Sequence, residues 1–167
     1  MSANAKNANP LKFADEASFI HRSMDKNSRS DYTYIDAPRL NGDPDAVVLA
    51  APTPDRERTG DTTYAHNIGV WYTSVAKKWA IYNQDQLAMS SGETFEVTVP
   101  RPRESFVRRA TPSNTTSNST YLDNPLTNGD PAVVLSVTQN WNPGGRGVYN
   151  DHALGVHYAG YAKRCDP

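Results

Sequence analysis

The feature that most constrains this chain is an internal duplication. Ser18-Phe19-Ile20-His21-Arg22 returns as Ser105-Phe106-Val107-Arg108-Arg109, an offset of about 87 residues, which is the scale of a structural repeat. The register persists from Tyr34-Ile35-Asp36 to Tyr121-Leu122-Asp123, and from Asn41-Gly42-Asp43-Pro44 to Asn128-Gly129-Asp130-Pro131. One residue, near Asp45, then drops out of the second copy. Beyond it Val47-Val48-Leu49 matches Val133-Val134-Leu135, His66 matches His152, Gly69-Val70 matches Gly155-Val156, Tyr72 matches Tyr158, and Ala76-Lys77 matches Ala162-Lys163. Chance similarity does not hold register over such a length with a single slip. Trp79 falls opposite Cys165, so Trp79 to Val99 has no counterpart in copy two. The expected organisation is a tail or short helix at 1–17, copy one at 18–104 and a truncated copy two at 105–167. The two copies are expected to share one compact domain.

Each copy reads as short strands. Phe19-Ile20 and Phe106-Val107 open the two units, and Tyr32 to Asp36 and Thr120 to Asp123 follow polar loops. Asn41-Gly42 and Asn128-Gly129 are expected to be type I′ hairpin turns, because Asn-Gly accepts positive φ at both central positions at least cost. Ala46 to Ala50 and Ala132 to Val137 are expected strands, as are Ile68 to Tyr72 and Leu154 to Tyr158. Copy one continues through Trp79 to Asn83 and then Thr94 to Val99, where polar and apolar residues alternate as in a half-buried strand. A helix is confined to about Pro10 to Ala17, with Asn9 as cap and Pro10 in the first turn. Roughly ten short strands with weak helical periodicity predict an all-β protein, an antiparallel β-sandwich or open barrel. Twelve prolines and ten glycines punctuate the runs, as turns between many strands require.

Composition removes several function classes. The formal net charge is −1, whereas neutralising nucleic-acid phosphates needs a basic surface. The basic cluster Arg101, Arg103, Arg108 and Arg109 is interrupted by Glu104 and reads as a charged strand edge, which discourages aggregation. No apolar run approaches the ~18 residues that span a membrane. Met1 to Asn9 has no apolar core of the secretory type, so a cytoplasmic location is the default expectation. The single Cys165 permits no intramolecular disulfide.

The segment Asn124-Pro125-Leu126-Thr127-Asn128-Gly129-Asp130-Pro131, with Val137-Thr138-Gln139-Asn140-Trp141-Asn142-Pro143-Gly144-Gly145, resembles an uncharacterised bacterial β-rich repeat family. Gly69-Val70-Trp71-Tyr72 and Trp79-Ala80-Ile81-Tyr82-Asn83-Gln84-Asp85 extend the resemblance over most of both copies. The resemblance implies repetition and a β fold, and no reaction. Copy one departs from the pattern at Pro52 to Asp61, where the Trp-Asn-Pro-Gly-Gly loop is absent.

Three constellations are candidates for chemistry. Trp71, Tyr72, Trp79, Tyr82, Asn83, Gln84 and Asp85 form an aromatic and amide-rich set in copy one. Asn140, Trp141, Asn142 and Tyr158 offer a similar set in copy two. Such mixtures suit sugars: an aromatic face covers the C–H side of a pyranose, and a few polar groups fix its hydroxyls. The bland alternative is that the rings fill the core and the polar residues make turns. His66, Asp85 and His152 are the candidate acid–base residues. No His-x-His or His-Glu-x-x-His spacing marks zinc, and no nucleophile elbow, P-loop or dinucleotide fingerprint occurs. Asp36, Asn41 and Asp43, repeated as Asp123, Asn128 and Asp130, offer oxygens to calcium; Asx residues also bond their own turns.

The leading expectation is a non-enzymatic, lectin-like binding module without a cofactor, in which two sites gain avidity. The alternatives are a small β-barrel enzyme using a His/Asp pair and a structural or assembly protein. A last strand near Gly155 to Lys163 is expected to present an open edge, which a twofold homodimer would close.

Overall fold

The computed structural model describes residues 17–53, 64–141 and 147–160. The expected N-terminal helix, Asn142 and the end of copy two lie outside these. Copy one forms β1 (Ala17–Arg22), β2 (Ser28–Arg29), β3 (Tyr32–Ile35), β4 (Leu49–Pro52), β5 (Ile68–Thr73), β6 (Lys78–Asn83) and β7 (Thr94–Val99). Copy two contributes β8 (Thr115–Thr116), β9 (Ser119–Thr120) and β10 (Gln139–Asn140).

Two sheets face each other, one ordered β1-β7-β4 and the other β10-β5-β6-β3-β2, and neither closes into a barrel. The sandwich alternative is therefore the observed one. Phe95 and Val97 from the first sheet meet Ile35, Val70, Trp79 and Ile81 from the second, with Leu40, Val48 and Met89 completing the core. The period-2 pattern of Thr94 to Val99 accounts for its placement: Phe95 and Val97 are fully buried while Glu96 is exposed. All pairings are antiparallel except β10 on β5, which is parallel.

A polar thread crosses the sandwich. Thr33 on β3 donates its hydroxyl to Asn27 Oδ1 at 3.2 Å. The His21 ring on β1 lies 2.9 Å from the same hydroxyl oxygen, so His21 Nε2–H is the donor. His21 is nearly buried, and Thr33 is completely so. Both are satisfied, as groups away from water must be.

The duplication is visible in the turns. Asn27 accepts from Met24 N–H and donates to the Arg22 carbonyl, and Asn114 does the same with Thr111 and Arg109. Asn41 donates to Asp36 at 2.8 Å and Asn128 to Asp123 at 2.7 Å. Ser30 and Ser117 share positive φ, at 46° and 55°, as do Gly42 and Gly129, at 79° and 80°. In copy two Thr120 still bonds Asn114, and Arg108 stands where His21 stands in copy one.

Two sequence expectations are corrected. Asn41-Gly42 is not a hairpin turn: of its two residues only Gly42 has positive φ. Leu40 and Asn41 both donate to the Ala37 carbonyl, a single helical turn that a left-handed glycine ends. The chain then crosses from β3 in one sheet to β4 in the other. The second correction concerns copy two, where Phe106-Val107, Ala132 to Val137 and Leu154 to Tyr158 form no ladder. In copy one β1 and β4 both pair with β7, and β3 and β5 both pair with β6. The described residues of copy two include no counterpart of either central strand. The positions equivalent to buried Val48 and Val70 are Val134, 92% exposed, and Val156, 52% exposed.

Candidate functional site

Strand alternation places an aromatic face on the outside of the five-stranded sheet. Ile35, Val70, Trp79 and Ile81 turn to the core, so their strand neighbours Tyr34, Trp71, Ala80 and Tyr82 turn away from it. Pairing aligns them in two rows, Gly69–Tyr82–Tyr32 and Trp71–Ala80–Tyr34. Gly69 leaves room for the Tyr82 ring, since a Cβ there would come 2.5 Å from its Cζ. Tyr32 packs edge-to-face on Trp71 at 5.4 Å and on Tyr34 at 5.1 Å, the arrangement ring quadrupoles favour. Tyr32, Tyr34 and Trp71 are half-exposed, whereas Tyr82 is buried. Burial pushes the Tyr82 phenol up to about 12, and the hydrogen bond with Tyr34 raises Tyr32, so both are neutral hydroxyls at pH 7.

Copy two completes this face. Trp141 N–H donates to the Val70 carbonyl at 2.9 Å, extending the β10 pairing. Trp141 and Tyr149 both pack on Tyr82, at 5.6 and 5.8 Å, and on each other at 4.6 Å. Asn150 N–H donates to Gln84 Oε1 at 2.9 Å and Asn67 Nδ2 to the Asp151 carbonyl at 3.2 Å. Gln84 is 1% exposed, and its Nε2 has no partner among the described residues. Gln139–Trp141 and Tyr149–Asp151 thus form a latch holding copy two against copy one, and their rings extend the aromatic face.

A histidine–carboxylate pair lies at the end of the β5–β6 hairpin. His66 Nδ1 donates to Asp85 Oδ2 at 2.6 Å, with both side chains partly exposed. The Tyr64 ring packs edge-on against His66 at 5.3 Å. Burial raises the Asp85 carboxyl, but hydrogen bonds from His66 and Leu87 N–H outweigh it and hold the group below its ordinary value. Copy two does not repeat the pair: His152 is exposed.

The sequence candidates therefore separate. Trp71, Tyr82 and Trp141 come together on the outer face. Trp79 does not join them: it is 2% exposed in the core, where its indole N–H donates to the Asp43 carbonyl. Tyr72 sits directly across from it on the same face and packs on it. Asn83 is fully buried, donating to the Leu87 carbonyl and accepting from Tyr64. Asn140 lies in β10, and Tyr158 lies apart, beside Leu122, Thr127 and Val133. Asp36 accepts from Asn41 and pairs with Lys78. Asp43 and Asp130 accept from the N–H groups of Asp45 and Ala132. These carboxylates build turns, and no group of three His, Cys, Asp or Glu residues that could hold a metal ion occurs among the described residues. Sequence reasoning missed Tyr32, Tyr34 and Tyr149. The alternation Tyr32-Thr33-Tyr34 was a usable signal; Tyr149 carried none.

With this geometry in hand, the family can be stated. The model described as "Domain of unknown function (DUF7452)" matches residues 5–99 and again 69–163, and the chain belongs to this family. The two overlapping matches agree with the duplication. No curated protein and no solved structure matches the chain. Among the described residues no helix is long and apolar enough to cross a membrane.

Proposed function

We propose that the protein is a non-enzymatic binding module whose ligand is carbohydrate, held on the outer face of the five-stranded sheet. The observation that carries this reading is the row of half-exposed rings, Tyr34, Tyr32 and Trp71, continued by Trp141 and Tyr149. Rings left partly in water beside neutral phenols, Lys78 and Asp31 supply the apolar platform and polar fringe that a pyranose uses. Two separate aromatic contacts along one face suit a chain of sugars better than a single unit.

A glycan array with labelled protein, followed by calorimetry on the best binder, tests this. Trp71→Ala is expected to weaken binding at least tenfold, which is ~1.4 kcal/mol, with the unfolding midpoint little changed, because Trp71 is outside the core. A blank array with folded protein would reject the reading.

A second reading, a small acid–base enzyme, is favoured by the short His66–Asp85 contact. A carboxylate on Nδ1 orients the imidazole and leaves Nε2 to take a proton, as in hydrolytic triads. Under it, His66→Gln removes turnover of a small organic substrate and leaves glycan binding untouched; under the first reading neither property changes.

A further inference from the structure

We propose that copy two takes up a β-strand from another polypeptide, seated where β7 sits in copy one. In copy one β7 lies between β1 and β4 and pairs with both. The repeat sets residues 104–109 against β1 and 135–138 against β4, and copy two of this sequence has no residues that answer to β7. Neither of the two segments joins a ladder among the described residues. Both line a single cleft of about 1140 Å³. Clefts that hold small molecules are usually about 300–1,000 Å³, so this one has room for a larger occupant.

The surroundings specify the chemistry of that occupant. In copy one Phe95 and Val97 of β7 share a core with Ile35, Val48 and Val70. The counterparts in copy two are Leu122, Val134 and Val156. Leu122 and Val134 line the cleft, Val134 is almost fully exposed and Val156 is half-exposed. A strand with apolar side chains at alternate positions would cover these residues with one face. Its backbone would pair with the two segments, as extended peptides do when they add to a sheet. Arg108, which stands where copy one has His21, lines the same cleft, and its buried Nε has no partner among the described residues. A buried N–H without an acceptor is costly, and a carbonyl of the seated strand would accept from it. A second copy of this chain is a poor donor: its β7 is already paired on both sides, with Phe95 and Val97 fully buried. The partner is therefore a different polypeptide that carries an alternating strand of the β7 kind.

The probe is a labelled synthetic peptide with the sequence of Gly92 to Pro100, which carries β7, titrated with the full chain by fluorescence anisotropy. Saturable binding of one peptide per chain is expected, with hydrogen exchange slowed at 105–109 and 135–138. A peptide carrying Phe95→Asp and Val97→Asp is expected to bind at least tenfold more weakly. The same loss is expected for the parent peptide against a Val134→Asp chain. Because Val134 is almost fully exposed, that change is expected to leave the unfolding midpoint of the free chain in place. A titration that does not saturate would overturn the proposal, and so would equal binding of a peptide with the same residues in scrambled order. Binding that ignores Val134→Asp would also overturn it, because the peptide would then be exchanging with β7 in copy one.

Discussion

Replacing Trp79 with alanine is expected to lower the unfolding free energy by about 3–5 kcal/mol, the usual cost of removing a buried Trp or Phe. Against a typical domain stability of about 5–15 kcal/mol, this leaves a markedly weakened protein. The size follows from its position. Trp79 is 2% exposed and packs with Tyr72 on one sheet against the Phe95–Val97 face of the other. Its indole N–H also donates to the Asp43 carbonyl, so truncation empties a volume and removes that hydrogen bond at once. Trp79→Phe keeps most of the volume and is expected to cost clearly less. Urea titrations of both variants, with unchanged slopes, check the order. A Trp79→Ala protein as stable as the parent would place this ring outside the core.

Acid is expected to weaken the fold well above the carboxylate range, through His21. Burial pushes its pKa from 6.5 down to about 4. Between those two values the unfolded chain binds a proton that the folded chain refuses, so stability rises with pH there and falls as pH drops from 6.5 to 4. The shift corresponds to a loss of about 3 kcal/mol once pH reaches the folded value. The loss then levels off for this group. Asp85, whose folded value is lowered, adds its own loss below the ordinary 3.8. Unfolding free energies measured at pH 7, 5.5 and 4 read the first component. His21→Gln, which can still donate to Thr33, is expected to flatten the curve over that interval. An equally steep curve in the variant would assign the acid response elsewhere.

How much of this was legible in the sequence depends on the range of the interactions involved. The duplication, the all-β class and the Thr94–Val99 strand were readable because each is a local or self-comparing pattern. The Asn41-Gly42 turn was read correctly as a reversal but wrongly as a hairpin. Turn chemistry reports the backbone at four residues, and which sheet the next strand joins is decided by its partner β7, 43 to 49 residues further along. The aromatic set was found as a group and sorted wrongly in part. Trp71 and Trp79 look alike in composition, yet the β5–β6 register pairs Trp71 with Ala80 and Tyr72 with Trp79, sending one tryptophan outward and the other inward. His66 and Asp85 stood out as residue types suited to proton transfer, and the hairpin brings them to 2.6 Å. Docking of copy two was not legible, because it joins residues at least 59 positions apart.

The latch also fixes how the molecule would carry a load. Copy one is a plywood of four- and six-residue ladders, with β6 and β7 each glued on both sides. The latch is gripped by two ladder residues at a sheet edge and a few side chains. A pull between Ala17 and Gly160 loads both this grip and the Ala17–Val99 end of the β1–β7 ladder. The grip has two ladder residues against six, so it is expected to let go before β6 and β7 part from their neighbours.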